Sequence, residues 1–360
     1  MLKGSKGTNL VVNVDDNFSS IVSTNGFTTI KTQYTLPNEP IKDALYLHNT
    51  SISNLTLKDC TFRPDNNPRL CPDQEIRFIL YTPDGSRRVF SYEQDDWLRQ
   101  SEWDPDNDNV VVVHGYAGGD EKLPMAVLKD AYVRNGTYNV WFVDWGNLCQ
   151  PPCYRAAVHN TKAVAMCIGA IICGQIAKYV VFRVHRIIAL DPARPLINNN
   201  IRITSGSAGA VHVLHTNAGH YGESGKAGHV DFCINGGKVQ PFCENVGFDA
   251  QLCSHVWAVC YMAESIFPHL ARKAEPCSRR CPSGPRPGHR IGIPIHMGQL
   301  TPLTATGSYC IRESYPPYCP TESGGFGDPR CCLKAPPIIP PSTTPMNNVE
   351  EDTLTNKINF

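Results

Sequence analysis

VVVVHGYAGGDEKLPMAVLKDAYVRNGTYNVWFVDW, residues 110–145, decides the fold. It opens on four valines, Val110–Val113, with no polar residue among them. A continuous β-branched run suits a strand buried on both faces of a parallel sheet, whereas a half-solvated strand would alternate. Val127–Asn135 has helical spacing of its apolar residues. Asn139–Asp144 (NVWFVD) is a second buried strand. Outward from this unit, Arg186–Leu190 (RIIAL) reads as a third strand closed by Asp191-Pro192, and Ala210–Thr216 (AVHVLHT) as a fourth. Upstream, Ile76–Tyr81 reads as a strand ending in the turn Thr82-Pro-Asp-Gly-Ser86, and downstream His255–Phe267 as an amphipathic helix. Strand, helix, strand in this rhythm predicts an α/β fold with right-handed crossovers.

Composition narrows the function. The 360 residues carry 33 Lys+Arg and 33 Asp+Glu, so no net positive field is available for a nucleic-acid partner. The longest uncharged, mostly apolar run, Ala163–Ala177, is shorter than the roughly 20 residues that cross a bilayer, so no transmembrane helix is expected. Sixteen cysteines favour an oxidising compartment and a disulfide framework. Four N-x-Ser/Thr sequons, at Asn17, Asn49, Asn54 and Asn135, point the same way, to an extracellular glycoprotein. Against this, Met1–Ser23 holds no apolar core of signal-peptide length, which suggests that the native N-terminus is missing. Residues 1–70 are rich in Asn, Thr and Ser, with weak β-like alternation around Thr28–Thr35, and read as a poorly packed extension. Residues 71–320 read as the globular domain, and 333–360 as a disordered Pro/Thr-rich tail.

In an open α/β sheet, chemistry collects at the carboxyl ends of the strands. Asp191 stands at such an end. It suits the carboxylate that orients a catalytic histidine, or simply a turn or N-cap aspartate before proline. His255, beside Cys253, suits a general base, or a solvent-facing histidine at a helix start. His114, His215, His220 and His229 read as structural. Cys277-x-x-x-Cys281 and Cys331-Cys332 lack zinc-ribbon spacing, and the stretch after Asp191 lacks clustered carboxylates, so no metal or cofactor is expected.

Several ordered motifs together resemble the pancreatic-type lipase family, including its short-lid phospholipase A1-like members. They are the stretch 110–145, HRIIALDPARPLI (185–197), VHVLHTNAG (211–219), GHVDFCINGGKVQPFC (228–243) and CSHVWAVCYMAESI (253–266). The resemblance covers roughly residues 71–315. It implies an α/β-hydrolase sheet, hydrolysis of lipid esters, and a lipid or lipid surface as partner. It places the triad acid at Asp191, the triad base at His255, an oxyanion-hole N–H at Tyr116 and a lid clamped by Cys243 and Cys253. The nine residues between those cysteines (ENVGFDAQL) make a short lid, which in this family leans towards phospholipid or galactolipid over triglyceride.

The departure is as specific as the resemblance. The nucleophile should stand in G-x-S-x-G on a strand-to-helix turn, and no serine of the chain has that context. Asp144 and Asp191 are also too close, by about two dozen residues, for the strand–elbow–helix unit. The resemblance thus implies a sheet lacking its central elbow strand, with the Val110–Val113 and Arg186–Leu190 strands either pairing directly or bracketing a gap. Arg155–Val180 is expected to form one fused helix. A second alignment sets Cys167 at the nucleophile's place.

Overall fold

The computed structural model describes residues 8–12, 59–64, 71–174 save 92, 95 and 123, 184–197, 202–243, 250–277, 292–313 and 317. Eleven strands form one mixed sheet: β1 (Thr8–Val12), β2 (Arg77–Tyr81), β3 (Arg87–Val89), β4 (Asp108–Val113), β5 (Tyr138–Asp144), β6 (Val184–Leu190), β7 (Ala210–His215), β8 (Val230–Ile234), β9 (Lys273–Pro276), β10 (Ile295–His296) and β11 (Gly307–Ile311). Their order is β10-β9-β11-β8-β7-β6-β1-β4-β5-β2-β3. The seven strands from β11 to β5 run parallel, and antiparallel strands close both sides. This is the α/β architecture expected of the 110–145 unit.

The four-valine run is buried on both faces because helices cover both. Val110 and Val112 face a core shared with Leu128, Phe142, Trp257 and Tyr261. Val111 and Val113 face a second core with Trp141, Val164, Cys167 and Ile168. After the single turn α1 (Trp97–Gln100), the first core is covered by α2 (Met125–Asn135) and α4 (Ala250–Ser265), the second by α3 (Tyr154–Gly174). Gly136 ends α2 at φ 81°, a left-handed conformation that glycine adopts without Cβ strain.

Two expectations about the centre of the sheet are corrected here. Neither direct pairing nor a gap occurs between β4 and β6. Thr8–Val12, from the segment expected to pack poorly, lies between them and pairs parallel with both: Val12 opposes Val113 on one side and Ala189 on the other. The physical reason is that two parallel strands buried at the middle of a sheet each present unpaired N–H and C=O groups, which cost about 1–3 kcal/mol apiece if left unsatisfied. TNLVV has the residue types of a strand, and its backbone supplies the partners. The 1–70 segment is tied in elsewhere too. Cys60 is disulfide-bonded to Cys153, and Arg63 donates to Asp73 at 2.6 and 2.8 Å.

The fused helix is present as α3, with no strand between residues 160 and 174. Its expected continuation to Val180 lies outside the described residues, as do Thr28–Thr35 and the 333–360 tail. Six strands were not anticipated as such: β1, β3, β8, β9, β10 and β11. Each has five residues or fewer, and none repeats the four-residue apolar run of β4.

Beside the β4–β5 pair, a buried polar cluster fixes the strand ends. His114 Nδ1 lies 2.8 Å from the Gly115 carbonyl, and its Nε2 lies 3.1 Å from the Trp145 N–H and 3.3 Å from Asp144 Oδ1. Asp144 also accepts from Gly146 N–H at 3.0 Å and pairs with Arg77. Burial pushes its carboxyl up, but the His114 ring, the Gly146 N–H and Arg77 outweigh burial and hold it well below the usual carboxylate range. Stabilisation from Asp144 is therefore complete above its unfolded value of 3.8 and is lost as pH falls through the depressed folded value. Urea midpoints measured across pH 2–7 should fall on acidification, and Asp144→Asn should flatten part of that fall. A second expectation concerns the bond from Cys71 to Cys167, which ties α3 to the chain before β2 across 96 residues. Replacing both by serine should lower unfolding stability by about 2–4 kcal/mol, read from non-reducing denaturant titrations.

Candidate functional site

Asp191 follows the last residue of β6 and is fully buried at φ 48°. That φ is unusual for a residue other than glycine, and the surroundings hold it there. Its own N–H donates to the Leu214 carbonyl at 2.7 Å. Its Oδ1 accepts from the N–H groups of Thr216 and Asn217, each at 2.9 Å. Its Oδ2 lies 2.6 Å from His255 Nδ1. A carboxylate so held fixes the orientation of the imidazole and leaves Nε2 directed away from it.

His255 sits on the second turn of α4, with a side chain 16% exposed, in contrast to fully buried Asp191. Several contacts position that helix start. Cys243 is disulfide-bonded to Cys253, two residues before His255. Gln240 N–H donates to Ser254 Oγ at 2.8 Å, and its Nε2 reaches the Thr216 and Ile234 carbonyls. Asn217 Nδ2 donates to Gln251 Oε1 at 2.7 Å. Asn217 therefore serves both partners: its backbone holds Asp191, and its side chain holds α4. The Tyr221 ring flanks His255 at 5.7 Å.

Three of these supports escape a reading of the sequence by itself. Asn217, Gln251 and Gly222 stand in or near the quoted motifs but have no chemistry of their own to mark them. Gly222 is the clearest signal in retrospect. A Cβ there would lie 2.4 Å from both carboxylate oxygens of Asp191, so only glycine fits.

Tyr116 stands just past β4, at the tip of a turn closed by Gly118 N–H donating to the Gly115 carbonyl at 3.1 Å. Its ring meets Tyr154 edge-on at 5.1 Å. β1 separates β4 from β6, so Tyr116 and Asp191 leave strands two spacings apart, about 10 Å. Three histidines of the sequence analysis, His215, His229 and His220, make structural contacts. His215 Nε2 lies 3.0 Å from Asp231, and its Nδ1 lies 3.1 Å from the Glu223 carbonyl. Burial lowers its pKa, and Asp231 more than reverses this, so it is raised. His229 Nδ1 accepts from Val211 N–H at 3.0 Å, and His220 packs edge-on against Tyr221. Cys167, the other nucleophile candidate, is held in its disulfide with Cys71 and offers no thiolate.

Among the described residues, one group of metal-ligating side chains comes together: Cys233, Cys277 and Cys310. Cys277 and Cys310 are bonded to each other, which removes the thiolates a metal would need. No helix of the described residues is long and apolar enough to cross a membrane. Of the sequons, Asn17, Asn49 and Asn54 lie outside the described residues. Asn135 is half-buried at the end of α2, and its Nδ2 donates to the Ile266 carbonyl at 3.3 Å.

The chain is 26% identical to phospholipase A1 member A of Rattus norvegicus over 237 residues, 57% of this chain and 51% of that protein. It is 26% identical over 259 residues to pancreatic lipase-related protein 2 of Sus scrofa, covering 57% of this chain and 54% of that protein. With the phospholipase A1 of Vespula vulgaris it shares 36% over 120 residues, 31% of this chain and 35% of that one. The chain thus spans about half the length of the first two of these relatives and about a third of the last. Disulfides and such relatives are compatible with an extracellular location. The family model described as Lipase matches residues 53–173 and 164–280, more than half of the chain, and the chain belongs to that family.

Proposed function

We propose that this chain is a lipase-family body that keeps the acid and the base of the hydrolytic triad and lacks its nucleophile, so that it does not hydrolyse lipid esters. The 2.6 Å contact between Asp191 and His255 carries the first half of this reading. The occupied slot between β4 and β6 supports the second. In the family resemblance, the strand at that position delivers the serine at its carboxyl end. Here the position belongs to Thr8–Val12, and Asn-Val-Asp-Asp-Asn follows it at 13–17, with no hydroxyl or thiol. No G-x-S-x-G occurs in the chain.

Magnitudes make the consequence severe. Loss of a triad serine costs roughly 10⁶ in turnover, leaving about 10³–10⁴ over water from the oxyanion hole and binding. The residue after the serine would supply one of the two oxyanion donors, so that remnant goes as well. His255 has no hydroxyl to deprotonate, and Tyr116 keeps at most its half of the oxyanion hole.

The two family matches overlap at residues 164–173, so both halves of the family pattern claim the same turns of α3. That overlap favours loss of an internal segment, as in an incomplete isoform or gene model of a secreted lipase. Genomic DNA between the codons for Gly169 and Ile172 tests this: an in-frame G-x-S-x-G segment is expected there. In this reading the lipase body spans 71–320, is extracellular and glycosylated, and would meet phospholipid or acylglycerol surfaces. A second reading, a non-catalytic lipid- or partner-binding protein, is favoured by the preserved support around Asp191, which persists without a nucleophile to serve.

The purified 360-residue chain should remain unlabelled by a fluorophosphonate probe and should release no fatty acid from phosphatidylcholine or triacylglycerol. Turnover traced to any of its residues would refute the proposal. For the binding reading, flotation with phosphatidylcholine vesicles should carry the protein upward, equally for wild type and His255→Ala. A chain left at the bottom of the gradient sinks that reading.

A further inference from the structure

β1 differs from its two neighbours in lying outside the family match. The family match begins at residue 53, so Thr8–Val12 lies outside it, whereas β4 falls inside the first matched segment and β6 inside the second. Apart from β1, the sheet is two blocks, β10-β9-β11-β8-β7-β6 and β4-β5-β2-β3, that make no strand pairing with each other among the described residues. β1, which lies outside the family match as β10 and β11 also do, joins them. It pairs through four residues with β4 and through five with β6, in parallel register on both sides. Among the described residues, the next tie to the body is at Cys60, through its disulfide to Cys153.

We propose that the slot between β4 and β6 is a strand-binding site, and that Thr8–Val12 is its tethered ligand, bound in cis and replaceable by a free peptide of the same sequence. What the slot recognises is an extended segment of five residues that can present backbone N–H and C=O groups alternately to both sides. This is β-augmentation carried out inside a sheet instead of at its edge. Two ladders make the slot more demanding than an edge, because proline is excluded at every interior position. The tether makes pairing intramolecular, so free peptide competes only when the resident strand is weakened. The proposal rests on strand topology and is independent of whether the chain has activity.

The test uses the full chain with Val11→Pro, which removes one ladder N–H from the resident strand. Hydrogen–deuterium exchange is followed at Val110–Val113 and Arg186–Ala189, with and without a synthetic peptide of residues 6–15 (KGTNLVVNVD) at millimolar concentration. Exchange at these amides should accelerate at least tenfold in the variant, and the peptide should restore most of the protection. Wild-type exchange should ignore the peptide. Should Val11→Pro fail to fold, the peptide added during refolding should raise the yield of native protein, and the milder Val11→Gly should show the same restoration. Wild-type protection in Val11→Pro would overturn the proposal. So would acceleration or misfolding that the peptide does not reverse in either variant. A wild-type protein whose protection depends on its own concentration, with dimers by light scattering, would place another copy's strand in the slot and overturn the assignment in cis.

Discussion

The structure depends on satisfying the backbone at one position in the middle of a parallel sheet. β4 and β6 are among the most deeply buried strands, with Val110, Val112, Ile188 and Leu190 fully enclosed. Water cannot reach their facing N–H and C=O groups, so another strand must. Five residues from the N-terminal region do this. With that ladder closed, both faces of the sheet can carry continuous cores, one under α2 and α4, the other under α3. Without it the two blocks would share helices and a few side-chain hydrogen bonds, such as Gln299 to Tyr138, but no strand pairing.

The same substitution separates fold from chemistry. A strand in that slot needs only a backbone and suitable apolar or β-branched residues, and TNLVV has them. A nucleophile needs one hydroxyl at one strand end on a tight turn. The first requirement is generic and can be met by an unrelated segment. The second is specific, and no serine of the chain stands in G-x-S-x-G. Meanwhile Asp191 and His255 come from the other side of the slot, on β6 and α4, held by Thr216, Asn217, Gly222, Gln240 and the Cys243–Cys253 bond. Their geometry does not draw on the occupant of the slot.

Much of the architecture was legible from periodicity. The runs at 110–113, 139–144, 186–190 and 210–216 each became a strand, because strands buried on both faces leave an uninterrupted apolar signature. The helix across 155–174 was legible as one long, nearly uncharged, helix-compatible stretch. β1, β3, β8, β9, β10 and β11 were not, since strands of two to five residues, some interrupted by a polar residue such as Asp231 in β8, have no period to read. Asp191 and His255 could be named from motifs, but the residues that hold them could not. Asn217 and Gly222 act through a backbone N–H and through a missing Cβ, and neither leaves a mark in a one-dimensional pattern.

The sequence by itself determined the α/β class, the lipase-like order of motifs and the absence of a G-x-S-x-G serine, because each is a property of local residue order. Only the tertiary structure decided what stands between β4 and β6. Thr8–Val12 and Val110–Val113 are separated by nearly a hundred residues, and nothing local to either specifies the other as partner. Their pairing follows from the burial of two strand edges that neither segment contains alone.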